Sequence, residues 1–349
     1  GAMGTGTTGP VFALTTYDFE DPGDERQFEA GPPSIRKVND TPDRPRSLIV
    51  GGQFTSANGV AANNIVAWNG VNFENLGTGR VNASPGDGNG GTPPVFNLNG
   101  PVFALEVFTP EDPDGDGPLE VPQNGVLYIG GQFTAVNGTP LTAPNLVAFG
   151  YVDPNQDSSV DIYNPQLIFR EVGAGVVGET VFALEVWDPA NLNGNEIPPF
   201  IAVGGDLPSL GNIALTDGIN AAFAFNGGTN GIVRALAALT DEQEPDISET
   251  ISDTPQQVLY VGGDFTQVFD GDGNPWDALH VAQFSAHNLG LGDFFEWALP
   301  SNTAVPTVST GVDYTDPNLA PATVFALVAF DDGNPLEWDR HDRRSQRLQ

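Results

Sequence analysis

Leu48-Ile49-Val50-Gly51-Gly52-Gln53-Phe54-Thr55 returns along the chain as Leu127-Tyr128-Ile129-Gly130-Gly131-Gln132-Phe133-Thr134 and as Leu259-Tyr260-Val261-Gly262-Gly263-Asp264-Phe265-Thr266, with a shorter copy at Ile201-Ala202-Val203-Gly204-Gly205-Asp206-Leu207. An apolar tetrad stands upstream of each copy: Val11-Phe12-Ala13-Leu14, Val102-Phe103-Ala104-Leu105, Val181-Phe182-Ala183-Leu184 and the degenerate Val233-Arg234-Ala235-Leu236. A fifth tetrad, Val324-Phe325-Ala326-Leu327, has no Gly-Gly copy after it. Self-similarity of this kind is the signature of a repeat architecture.

Two further blocks complete the unit. Ile65-Val66-Ala67-Trp68, Leu146-Val147-Ala148-Phe149, Ala222-Phe223-Ala224-Phe225 and Val281-Ala282-Gln283-Phe284 each end on an aromatic, 17, 19, 21 and 22 residues after the first Gly of the pair. The fourth block is Phe73-Glu74-Asn75-Leu76-Gly77-Thr78-Gly79, matched by Phe169-Arg170-Glu171-Val172-Gly173-Ala174-Gly175 and, more distantly, by Phe295-Glu296-Trp297. In the third repeat the chain runs from Asn226-Gly227 straight to Val233, so a deleted fourth block is expected there. Short segments rich in β-branched and aromatic residues, bounded by Gly, Asn, Pro or Asp, read as strands. Ile232–Glu244, the stretch nearest to a helical pattern, aligns with a strand block and is read as one.

Four short strands per unit in tandem predict an all-β chain, a β-propeller of four-stranded repeats with about five blades, the last incomplete or the chain truncated. The order of blocks resembles kelch-type propeller repeats, and more closely the Gly-Gly-x-Phe-Thr repeats of fungal cortical polarity-marker ectodomains and related bacterial surface proteins. That resemblance covers residues 10 to 330 and implies the fold more than any activity, because propellers host many functions. Gly1-Ala2-Met3-Gly4 reads as a protease-cleavage scar, and residues 1–9 are set apart as scar and leader. One domain then spans 10–338, with repeats at 10–100, 101–180, 181–231, 232–322 and 323–338; residues 339–349, with Arg340, Arg343, Arg344 and Arg347, form a polar basic tail.

Composition excludes whole classes of function. The 349 residues include 45 acidic against 12 basic side chains, a formal net charge of −33, which argues against nucleic acid and anionic membrane surfaces. No apolar run approaches the ~20 residues of a membrane-spanning helix. The absence of Cys removes disulfides, thiolate metal sites and cysteine nucleophiles.

The acids concentrate between the first and second strands of each unit. These connections include Asp18, Glu20 and Asp21 in the first, Glu111, Asp112, Asp114 and Asp116 in the second, and Asp241, Glu242 and Glu244 in the fourth. Corresponding loops of a propeller emerge on one face, so one face is expected to be strongly acidic. Such a face serves solvation, or it receives cations or a basic partner. Within it, Asp112-Pro113-Asp114-Gly115-Asp116-Gly117 alternates carboxylates and has Gly at the sixth place, as in the first half of a calcium loop, with Glu120 at the ninth. Gln123 occupies the twelfth place, where a bidentate Glu belongs, and no flanking helix is expected. Asp270-Gly271-Asp272-Gly273-Asn274, with Asp277, is a shorter version. Both segments read as calcium ligands or as polar turns.

No catalytic or cofactor-binding constellation emerges. The histidines are His280, His287 and His341, and His280 is read as packing or turn. A carboxylate pair formed in space is the remaining catalytic option, because such pairing leaves no linear motif. Among the tryptophans, Trp187, Trp276, Trp297 and Trp338 fall at strand ends or in loops, Trp68 and Trp297 are assigned to packing between sheets, and Trp276 beside Asp270 and Asp272 is the candidate for stacking on a sugar. The expected function is a non-catalytic binding or adhesion propeller, extracellular or on the cell surface, part of a larger protein and stabilised by calcium. It would meet a protein or glycan partner on a loop face, as a monomer without membrane insertion. A lectin-like propeller and a polysaccharide-active hydrolase or lyase are the alternatives.

Overall fold

The computed structural model describes residues 3–17, 46–76, 96–108, 125–152, 166–172, 179–188, 199–218, 223–224, 227–241, 256–285, 296–298 and 323–328. Apart from a single 3-10 turn at Pro208–Leu210, every regular element among them is a strand. Sheet one consists of Val11–Tyr17 (β1), Ser47–Gly52 (β2), Ile65–Trp68 (β5) and Phe73–Glu74 (β6), with a small hairpin of Ser56–Ala57 (β3) and Val60–Ala61 (β4) between its second and third strands. Sheet two repeats the plan with Val102–Phe108 (β7), Val126–Gly131 (β8), the hairpin Ala135–Val136 (β9) and Thr139–Pro140 (β10), then Leu146–Val152 (β11) and Gln166–Glu171 (β12). Sheet three is Thr180–Trp187 (β13), Phe200–Asp206 (β14), Ile213–Thr216 (β15) and Phe223–Ala224 (β16). Sheet four is Val233–Asp241 (β17), Gln256–Gly263 (β18), the hairpin Gln267–Phe269 (β19) and Pro275–Asp277 (β20), then Val281–Ser285 (β21) and Glu296–Ala298 (β22). All four sheets are antiparallel, with strands in chain order from one edge to the other.

Two expectations about the third repeat need correcting. Its third strand is Ile213–Thr216, and the block at Phe223–Ala224 is the fourth strand, so no strand is deleted. The cause is local. A 3-10 turn replaces the hairpin of the other units, and Asn212 enters the left-handed region at φ 66°, as Asn64, Asn145 and His280 do just before the other third strands. At each of these residues the carbonyl accepts from the second Gly of the pair: Gly52 to Asn64, Gly131 to Asn145, Gly205 to Asn212 and Gly263 to His280. The Asn side chain takes the next donor, as in Phe133 N–H to Asn145 Oδ1 at 2.8 Å, and a left-handed Asn is far less strained than most residues. His280 does this backbone work in sheet four, and its Nδ1 lies 3.2 Å from the Gly263 carbonyl, in accord with its reading as a turn residue.

The units also begin earlier than the apolar tetrads. Thr7, Leu98 and Thr229 form bridges to Ala57, Val136 and Val268 in the hairpins. Thr8 Oγ1 accepts from Thr55 and Ser56, while Asn99 Oδ1 accepts from Thr134 and Ala135, and Asn230 Oδ1 from Thr266 and Gln267. In the first unit, therefore, residues ahead of Val11 hold the first hairpin in place.

The double glycine has two separate causes. The first Gly of each pair faces the next sheet: a Cβ on Gly51 would stand 2.6 Å from Val102 Cγ1, on Gly130 2.5 Å from Val181 Cγ1, on Gly204 2.5 Å from Val233 Cγ1 and on Gly262 2.6 Å from Val324 Cγ1. The second Gly lies against its own first strand, where a Cβ on Gly52 would be 2.2 Å from the Pro10 carbonyl oxygen. One relation thus carries each sheet to its successor. Residues 323–328 extend the series onto sheet four without strand pairing of their own among the described residues. Each first strand also carries a bulge after its Val, at Val11/Ala13, Val102/Ala104, Val181/Ala183 and Val233/Ala235, which leaves Phe12, Phe103, Phe182 and Arg234 outside the ladder.

Three cores lie between successive sheets. Tyr17, Ile49 and Ile65 meet Leu105, Leu127 and Phe149; Phe108, Tyr128 and Ala148 meet Leu184, Ile201 and Val203; Trp187, Ala202 and Leu215 meet Leu236, Leu259 and Phe284. Polar tips cross the same gaps, with Tyr17 Oη donating to Gly125, Tyr128 Oη to Gly218 and Trp187 Nε1 to Gln257. A Gly130→Ala substitution drives a methyl into Val181 and should cost about 1–3 kcal/mol in denaturant unfolding. Adding Val181→Ala in the same chain should recover part of the loss caused by Gly130→Ala, a coupling that a purely local effect would lack.

Candidate functional site

Three groups of side chains have chemical potential. The first is the column formed by the bulged residues. Phe12 packs on Phe103 and Phe103 on Phe182, each with ring centroids 5.1 Å apart and planes tilted by 45°. Arg234 occupies the fourth place, its guanidinium carbon 5.1 Å from the Phe182 ring and 5.4 Å from the Phe325 ring. A guanidinium between two ring faces is a favourable cation–π arrangement. Arg234 Nη2 also lies 2.7 Å from Asp264 Oδ2. Burial pushes the Asp264 carboxyl up, but hydrogen bonds from Arg234 and Thr323 and the positive charge of Arg234 together hold it below the usual carboxylate range. The Arg of the degenerate tetrad thus replaces two ring contacts, such as Phe103 makes, by two cation–π contacts and adds an ion pair.

The second group is a carboxylate pair on neighbouring first strands. Glu106 on β7 and Glu185 on β13 both follow the Leu of their tetrads, at the place filled by Thr15, Ala237 and Val328 in the other units. Glu185 Oε1 accepts from the Ala238 N–H of β17 at 3.0 Å. Burial raises both carboxyls, and the charge of Glu185 adds to the effect on Glu106, whose pKa is pushed up to about 7; the Val107 N–H opposes this. Glu106 thus shares its proton with solvent near neutrality, while Glu185 is anchored to the next sheet. No linear signal marks this pair, because it depends on two tetrads being brought side by side.

The third group is the β19–β20 hairpin, which holds half of the predicted metal ligands. Asp270 Oδ1 accepts from Asp272 N–H at 3.1 Å and Asn274 N–H at 2.8 Å, and Asn274 Nδ2 donates to Asp270 Oδ2 at 3.0 Å. These bonds, the Asn274 side chain foremost, hold the Asp270 carboxyl below its ordinary range. Asp277 is engaged separately, accepting from Gln267 Nε2 at 3.1 Å. The hairpin therefore brings Asp270 and Asn274 together around a turn, with Asp272 contributing its backbone N–H. Among the described residues no group of three or more His, Asp or Glu side chains is placed to hold a metal. Asp112, Asp114, Asp116 and Glu120 lie outside the described residues.

Trp276 is 54% exposed on the same hairpin, with Nε1 3.5 Å from Asp270 Oδ2. Trp187, by contrast, is fully buried against Phe284, and Trp68, expected to pack between sheets, packs instead on Phe73 of its own sheet with centroids 4.9 Å apart. The backbone of Trp297 pairs with Phe284, and Trp338 lies outside the described residues. No helix among the described residues is long and apolar enough to cross a membrane. No family model matches the chain, and neither a curated protein nor a solved structure is found to be similar to it.

The Glu106 carboxyl binds its proton more tightly in the folded chain than at its ordinary value of 4.5, so the folded state loses stability as pH rises from 4.5 through about 7. Glu106→Gln should remove that loss, raising stability at pH 8 by about 2–3 kcal/mol and flattening the profile across this window, as read by denaturant melts at a series of pH values.

Proposed function

We propose that the chain is a non-catalytic binding and adhesion module of β-propeller type, extracellular or on a cell surface, and stabilised by calcium in its acidic loops. The observation that carries the propeller reading is the serial interface. The same Val-on-Gly contact relates sheet one to two, two to three, three to four, and sheet four to residues 323–328. Units joined by one repeated relation are the basis of propellers and other arrays. Four first strands, with a fifth tetrad seated on sheet four, fit this reading.

The same relation supports the division of labour between loop ends. In sheets one, two and four the first strand ends and the second begins at the end opposite the hairpin, and in sheet three at the end opposite the 3-10 turn, so the acid-rich sequence between first and second strands leaves and re-enters every sheet at the same end. Cation binding belongs to this end, where Asp112, Asp114, Asp116 and Glu120 fall in sequence. A ligand that binds only the folded state stabilises it by mass action, by about 2.7 kcal/mol at a concentration of ~100 times Kd. Thermal unfolding in calcium should therefore run at a higher temperature than in EDTA at matched ionic strength. An unchanged midpoint would remove calcium from the proposal and leave the acids a solvating role.

The exposure of Trp276 favours a carbohydrate as the partner at the hairpin end. Its ring is available for stacking, while Asp270 and Asn274 supply polar groups beside it. On a glycan array, a specific signal that falls about tenfold or more, 1.4 kcal/mol or above, in Trp276→Ala would support this partner. Binding that ignores the substitution would move the contact elsewhere.

A further inference from the structure

Given the carbohydrate reading of Trp276, on which this step rests, we propose that the long β19–β20 hairpin of sheet four binds glycans built of 2-amino sugars with a free, protonated amine and excludes acidic glycans. The hairpin thereby sets the charge of its ligand.

Sheet four departs here from the other units. In sheets one and two the hairpin strands are joined by two residues, Asn58-Gly59 and Asn137-Gly138, whereas five residues, Asp270-Gly271-Asp272-Gly273-Asn274, join β19 to β20. The inner strand of each hairpin serves the core in the same way, through buried Ala57, Val136 and Val268. Opposite them stand Val60, Thr139 and Trp276. The largest of these three side chains is on the lengthened hairpin and is 54% exposed, and residues 271 to 277 are exposed throughout. Pro275 is the other apolar side chain exposed there, so the hairpin offers an aromatic face and no groove for the apolar side chains of a peptide.

The polar groups of the hairpin are unevenly spent. Each of its side-chain N–H donor groups is engaged internally: Gln267 Nε2 on Asp277 Oδ1, Asn274 Nδ2 on both oxygens of Asp270, and Trp276 Nε1 toward Asp270 Oδ2. The Asp272 carboxylate and Asp277 Oδ2 accept from no donor among the described residues, and no Lys or Arg among them pairs with Asp270, Asp272 or Asp277. The unmet chemistry is therefore negative and acceptor-only, beside one open indole face. A 2-amino sugar supplies both complements. Its ring offers a C–H face to the indole, and its ammonium makes charge-assisted hydrogen bonds to a carboxylate, roughly twice as strong as those between neutral groups. The ammonium is also attracted to the indole face itself. N-acetylation removes that charge. A uronate or sulfate would bring a like charge against these carboxylates, with no donor to receive it, in a chain of net charge −33.

The test is isothermal titration of the full chain at about 0.15 M ionic strength, where distant surface charges are screened. The ligands are a free-amine glucosamine tetramer, its fully N-acetylated counterpart, a uronic acid tetramer and tetralysine. The variants are Trp276→Ala and the double variant Asp272→Asn, Asp277→Asn. All three side chains are exposed and Asp277→Asn keeps an acceptor for Gln267, so the variants fold. The expected result is binding of the amine tetramer at least tenfold tighter than of its N-acetylated counterpart, and no binding of the uronic acid tetramer. Trp276→Ala, which keeps the net charge, should weaken the amine tetramer at least tenfold, and the double variant should reduce it to the level of the N-acetylated one. Equal binding of the two glucosamine tetramers, or binding of the uronic acid tetramer, lost in either case in Trp276→Ala, overturns the charge preference and leaves the carbohydrate reading standing. Binding of no sugar overturns both. Tetralysine that binds as tightly as the amine tetramer, or amine binding that Trp276→Ala leaves unchanged, reassigns the effect to the bulk charge of the chain and overturns the proposal.

Discussion

The contact between a valine and the bare backbone of a glycine in the preceding sheet sets the geometry of this protein. With no Cβ on Gly51, Gly130, Gly204 or Gly262, the first strand of the next sheet approaches until its Val methyl fills the place a side chain would have taken. Close approach at this point brings Leu105 onto sheet one and Leu236 onto sheet three, and three apolar cores follow outward from it. The second glycine lets the first strand fold back on its own sheet, and the bulge after each Val turns one residue out of the ladder. Every distinctive side-chain arrangement described above lies along these first strands or at the hairpins that their leading residues hold.

The aromatic column shows how one sequence difference is absorbed within that geometry. Three tetrads contribute Phe12, Phe103 and Phe182 at equal spacing, and a fourth contributes Arg234. A guanidinium stacks on two rings as readily as a phenyl ring does, provided its charge is met. Asp264, from the Gly-Gly-x-Phe segment of the same sheet, supplies that charge, where sheets one and two have Gln53 and Gln132. Sheet three also has an Asp at this place, Asp206, beside a tetrad that keeps Phe182, so the Asp alone does not mark the Arg-bearing unit; its pairing with Arg234 is seen only in space.

The hairpin end and the first-strand carboxylates illustrate two ways in which acidic residues are held in a chain of net charge −33. Asp270 is partly buried on the hairpin and satisfied by a turn of donors, which lowers its pKa. Glu106 is partly buried between first strands and feels the charge of Glu185, which together raise it. The same side-chain chemistry thus gives a fixed anion at the hairpin and a proton-exchanging group beside the first strands.

Much of the fold was legible in the residues because its period is written in them. Tetrads, Gly-Gly pairs and β-branched runs located the first and second strands of all four sheets, while the fifth tetrad forms no strand among the described residues, and the Asn-Gly turns at Asn58-Gly59 and Asn137-Gly138 have the positive φ angles that hairpins require. The third unit misled because a 3-10 turn shortens the path to its third strand and Thr216 stands where an aromatic was expected, so spacing favoured the later block. The leading residues Thr8, Asn99 and Asn230 carried a signal, a Thr or Asn two residues before Pro or Ile and Val, whose purpose is visible only with the hairpin amides in place. What the amino-acid order determined by itself was local: strand propensity, turn chemistry and the recurrence of one unit. The pairing of Glu106 with Glu185 and the seating of Arg234 between two rings were decided by tertiary structure, because each depends on which sheets meet across space and linear order does not encode those distances.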